Sequence, residues 1–82
     1  MNEKIKKLRG SIDALDRRLV ALLSKRARLA QRIGELKDGG SAYRPEREAQ
    51  VLRGILAVNR GPLPDAALAR LFTEIMSACP GS

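Results

Sequence analysis

The 82-residue sequence predicts an all-α fold of three helices, one long and two short. Three observations carry this. Apolar residues recur at alternating three- and four-residue steps, which is helical spacing and not the period of two that a strand requires. Proline and glycine cluster at two internal places and near the C-terminus, where helices stop. No β pattern and no internal repeat is present. At this length a single domain spanning 1–82 is expected.

The first helix is expected over about residues 3–37. Ile5, Leu8, Ile12, Leu15, Leu19, Leu22, Leu29, Ile33 and Leu36 form its apolar seam. No proline interrupts it, and Gly10 and Gly34 lie near its ends, where glycine costs least. Asp38-Gly39-Gly40-Ser41 ends it. Pro45 suits the first position of a second helix over about 45–60, with Glu46 and Glu48 in its first turn, where the helix dipole favours acids. Val51, Leu52, Ile55, Leu56 and Val58 give that helix an apolar face, and Asn59-Arg60-Gly61-Pro62 closes it. A third helix over about 65–79 buries Leu68, Leu71, Phe72, Ile75 and Met76, and Pro80-Gly81 terminates it.

A 35-residue helix is roughly 52 Å long, whereas a compact chain of this size has a radius of gyration near 12 Å. Two short helices cannot cover nine apolar rungs over that length. The remaining apolar surface predicts a second copy of the chain and a two-fold homodimer.

The composition narrows the chemistry. The chain has no histidine or tryptophan, one cysteine, and only Tyr43 and Phe72 as aromatics. A lone Cys79 excludes an internal disulfide, and no His/Cys cluster is available for zinc, so no metal or cofactor is expected. The N-terminus has no apolar run after its charges, and no stretch approaches membrane-spanning length. A cytoplasmic protein without a membrane partner is therefore the expectation. The net charge is +7, and residues 1–37 hold eleven Lys/Arg against four Asp/Glu while the rest of the chain is balanced at five and five. That excess calls for an anionic partner. Nucleic acid is disfavoured, because two isolated aromatics make no base-stacking platform and no nucleic-acid-binding motif is present.

One position points to the ligand. The beat after Leu22 in the first helix falls on Arg26. A guanidinium in an apolar seam is costly unless an anion meets it. Lys37 follows eleven residues later, within about 20° of the same face and roughly 16 Å along the axis, so a small anion between the two could touch both. Arg9 lies about 25 Å from Arg26 on a different face. It could serve the same ligand only from a partner chain, in an antiparallel dimer whose two-fold axis passes near residues 17 and 18. Arg47 and Glu48 open the second helix and can fold back over the end of the first. The cluster suits a substrate with two carboxylates, and one glutamate could accept a hydrogen bond from a hydroxyl. Lys4, Lys6, Lys7, Arg17, Arg18, Lys25, Arg28 and Arg32 read as a solvated face, and Cys79 most simply as a core thiol.

The runs Leu8-Arg9-Gly10-Ser11-Ile12-Asp13-Ala14-Leu15-Asp16, Leu22-Leu23-Ser24-Lys25-Arg26 and Ile33-Gly34-Glu35-Leu36-Lys37 resemble the first helix of the all-helical chorismate mutases. Tyr43-Arg44-Pro45-Glu46-Arg47-Glu48 resembles the second-helix motif of that family, and Phe72-Thr73-Glu74-Ile75-Met76-Ser77-Ala78-Cys79 its third. The match covers nearly the whole chain and is most like mutase domains fused to prephenate dehydratase. The resemblance implies an intertwined three-helix dimer that rearranges chorismate to prephenate, on the route to phenylalanine and tyrosine. It implies that Arg26 and the partner copy's Arg9 clamp the carboxylates, Lys37 donates to the ether oxygen, Glu48 accepts from the ring hydroxyl, and Arg47 lines the site.

Three departures accompany the resemblance. Arg44 stands where the family often has an aspartate, and Cys79 where a serine often contacts a carboxylate. A thiol is the weaker donor. The family's second donor to the ether oxygen would fall at position 83, one beyond Ser82. The resemblance thus implies substrate contacts from Arg44 and Cys79 that differ in kind from the family's, and weak activity. The alternatives are an isochorismate pyruvate lyase on the same scaffold and a non-catalytic dimerisation or binding module.

Overall fold

A computed structural model describes residues 2–37 and 45–80, and the described residues form three α-helices: α1 (Asn2–Leu36), α2 (Pro45–Val58) and α3 (Asp65–Ala78). The stop signal at residues 38–41 lies outside the described residues. The long helix is unbroken, as its seam predicts. The molecule measures 55 × 23 × 16 Å with a radius of gyration of 16.0 Å, well above the roughly 12 Å of a compact chain this long.

The ends of α2 and α3 fall slightly inside the expected limits, for local reasons. At the end of α2, Asn59 takes over from the helix. Its backbone N–H donates to the Leu56 carbonyl at 3.3 Å, and its side-chain oxygen accepts from the Gly61 N–H at 3.0 Å. Gly61 has φ +73°, a conformation that only glycine adopts without strain. Arg60 Nη1 donates to the Ala57 carbonyl at 3.3 Å, satisfying one of the carbonyls a helix end leaves open. At the end of α3, Cys79 has left the helix, with φ −139° and ψ 83°. It precedes Pro80, and the proline ring disfavours helical backbone in the residue before it.

The helices α2 and α3 pack as an antiparallel pair across this turn. The half-buried positions of α2 are Glu48, Val51, Leu52, Ile55 and Leu56; those of α3 include Leu68, Phe72, Ile75 and, just past its end, Cys79. Each set advances by three or four residues, so each helix turns one stripe inward. Only the C-terminal half of α1 meets this pair. Ala30 and Met76 are the buried apolar residues, at 2% and 5% exposure.

The N-terminal half of α1 is bare. Leu8, Ile12, Leu15, Leu19 and Leu22 are all more than half exposed, and Leu29 and Leu36 are as well. The accessible surface is 6881 Å², against about 4,900 Å² for a compact monomer of this mass. No helix is long and apolar enough to cross a membrane among the described residues.

Candidate active site

Arg26 occupies the seam of α1 where α1 meets the end of α3. The residue is half-buried, and its Nη1 is shut off from solvent with no hydrogen-bond partner. Leu23, Arg26 and Ala27 from α1, with Ile75, Ala78 and Cys79 from the other side, line a cavity of about 280 Å³. The lining is mostly apolar, so the guanidinium is its one strong charge. An N–H donor in such a place lacks both water and an acceptor, a deficit of roughly 1–3 kcal/mol or more for a charged group. An anion entering the cavity would remove that deficit and gain a charge-assisted bond.

Cys79 shares the cavity. Its thiol donates to the Ala27 carbonyl at 3.3 Å, so it is engaged with the main chain of α1. The sequence raised it both as a core thiol and as a carboxylate contact; the structure shows it half-buried, lining the cavity and bonded to Ala27.

The other candidates are spread along the molecule. Lys37 follows the last turn of α1, exposed, with its N–H bonded to the Ile33 carbonyl at 3.0 Å. Glu48 is half-buried on the inward stripe of α2. A sequence signal for that placement exists besides the helix-start pattern: Glu48 stands three and four residues before Val51 and Leu52, on the apolar face. Arg47 is exposed beside it, and its Nη1 donates to Gln50 Oε1 at 2.7 Å; both line a shallow concavity with Glu46 and Arg53. Arg44 lies outside the described residues.

Arg9 is apart from all of these. It lines a different depression, with Ile5, Lys6 and Asp13, near the free end of α1. Helix rise separates it from Arg26 by about 25 Å. Within one chain, then, Arg26 and Cys79 come together and Arg9 does not join them.

Comparison with known proteins places this arrangement. Residues 8–80 match the family model described as chorismate mutase type II. The bifunctional chorismate mutase/prephenate dehydratase of Neisseria gonorrhoeae is 55% identical over 71 residues, which is 87% of this chain and 20% of that protein. Its counterpart in Pseudomonas aeruginosa is 49% identical over 84 residues, 94% of this chain and 23% of that protein. The chain thus spans between a fifth and a quarter of the length of these two relatives. A chorismate mutase structure from Thermus thermophilus superposes with a TM-score of 0.87 at 41% identity, covering 93% of this chain and 98% of that one. An apolar-walled cavity with one unsatisfied guanidinium, a three-helix fold and a match over nearly all its length make the chain a member of the type II chorismate mutase family, and a chorismate mutase domain.

Proposed function

We propose that the chain converts chorismate to prephenate as a homodimer with two sites, each built from both copies. The observation that carries this is the unpartnered, solvent-shielded Nη1 of Arg26. It is a donor with nothing to donate to, on a residue that lines a cavity of about 280 Å³, a size that suits a compact dicarboxylate.

The reaction is a concerted electron shift within one molecule. It needs no nucleophile, proton carrier or metal, so a chain without histidine lacks nothing. The protein must hold the reactive diaxial conformer and stabilise negative charge growing on the ether oxygen. Arg26 from one copy and Arg9 from the other hold the two carboxylates. Lys37 donates to the ether oxygen. Glu48 accepts from the ring hydroxyl, and Arg47 lines the site beside it. Arg44 is a further substrate contact in this reading.

Two features support the dimer. The accessible surface exceeds that of a compact monomer by about 2,000 Å² per chain, the scale of surface that a permanent interface removes. The bare seam from Leu8 to Leu22 runs along the half of α1 that carries Arg9, so covering it with a second α1 brings that arginine toward another copy's cavity. The three helices act as one domain in this reading, and a cytoplasmic setting suits the free thiol of Cys79.

The test is product analysis with chorismate and, separately, isochorismate, beside sedimentation of the same sample. Prephenate from a dimer supports the proposal. Salicylate and pyruvate from isochorismate alone would assign the lyase reaction instead. A dimer inert toward both would leave a binding module.

A further inference from the structure

Cys79 has a place in the structure that its position in the sequence does not explain. Its thiol reaches across 52 residues of sequence to the carbonyl of Ala27, at 3.3 Å in a partly buried setting. Ala27 directly follows Arg26, and Arg26, Ala27 and Cys79 line the same cavity. The Ala27 carbonyl belongs to the turn of α1 that presents the guanidinium. Cys79 itself sits where α3 has ended: its backbone N–H still donates to the Ile75 carbonyl at 3.3 Å, but its own dihedrals are no longer helical. The departure from helix before Pro80 therefore coincides with the residue that crosses to α1.

We infer that Cys79 is a positioning residue: its S–H···O bond straps the end of α3 to the turn of α1 that carries Arg26, and so fixes the guanidinium against the cavity. The bond adds a directional tie beside the buried Ala30 of α1 and Met76 of α3, whose apolar burial carries no direction of its own. Ala27 and Ala30 have small side chains that allow a close approach, and α1 is otherwise exposed on most of its length. While the thiol donates to the Ala27 carbonyl, the same S–H does not also donate to a carboxylate. This inference rests on the function proposed above for its effect on rate, but not for the bond itself.

The chain has a single cysteine, so the S–H stretching band in the infrared reports Cys79 alone. The measurement uses the full chain, first free and then saturated with prephenate. The strap predicts a band shifted to low frequency in the free protein and unmoved by prephenate. Steady-state kinetics on two variants completes the test. Cys79→Ala removes the donor and should lower kcat/KM roughly three- to tenfold, the equivalent of one modest hydrogen bond. Cys79→Ser can still donate to the Ala27 carbonyl and should recover most of that loss. A band at the frequency of a free thiol, a band that moves when prephenate binds, or a Cys79→Ala enzyme equal to the parent would each overturn the inference. If the parent shows no mutase activity but the band is shifted, the strap stands and the functional proposal falls.

Discussion

Asn59 ties the end of α2 to the start of α3: its Nδ2 donates to Asp65 Oδ1 at 2.7 Å and to the Leu63 carbonyl at 2.9 Å. With the bond its side-chain oxygen accepts from Gly61, one amide satisfies three groups of the turn. The turn sets the angle at which α3 leaves α2, and hence where Ile75 and Cys79 arrive beside α1. Asn59→Ala should destabilise the protein by about 1–2 kcal/mol, with the midpoint of urea unfolding moving accordingly. An unchanged midpoint would mean that the turn closes through its backbone alone.

Arg26 should trade stability for activity. Replacing it with methionine, unbranched and of similar length, removes a shielded donor that has no partner. Arg26→Met should raise the unliganded melting temperature, by an amount equivalent to about 1 kcal/mol or more. It should also lower kcat/KM by on the order of a hundredfold, the usual cost of a lost charged donor. A variant that is both less stable and still active would show that the guanidinium is structural.

Much of this was legible from residue order. The seam of α1 gave its length, and the arginine that interrupts the seam marked the cavity, because both depend only on helical periodicity. The two short helices were legible from Pro45, the Asn59–Pro62 cluster and Pro80. Their last turns were not, since Asn59 ends α2 through side-chain bonds whose partners lie up to six residues on. The bond from Cys79 to Ala27 depends on how α3 meets α1, which no local pattern encodes. Glu48 was legible as a motif residue, but its inward orientation emerges from the stripe it begins on α2. The separation of Arg9 from Arg26 followed from helix geometry alone.

Lys37 is proposed to act on charge that exists only as the reaction proceeds. Lys37→Ala should therefore reduce kcat far more than it raises KM, with a barrier increase on the order of 3 kcal/mol. Equal effects on binding and turnover would place Lys37 at a carboxylate instead.

The cationic excess of α1 should be visible in salt dependence. Lys6, Arg17 and Arg28 are exposed, and their spacing of eleven residues aligns them along the face of the helix opposite the apolar seam. A field of that sign favours approach of a dianion and is screened over about 8–10 Å at moderate ionic strength. Between low and moderate salt, kcat/KM for chorismate should fall several-fold in the parent. It should fall less in a triple variant with glutamine at these three positions, whose kcat stays near that of the parent. Identical salt profiles would limit the relevant charges to the cavity.

The most direct test asks whether each site is assembled from two chains. Arg9→Ala and Arg26→Ala are prepared separately, each expected to be nearly inactive, then mixed and allowed to exchange subunits. A mixed dimer holds one site with both arginines and one with neither. With random exchange, activity should recover to roughly one quarter of the parent's. A mixture no more active than its two components would contradict the shared site.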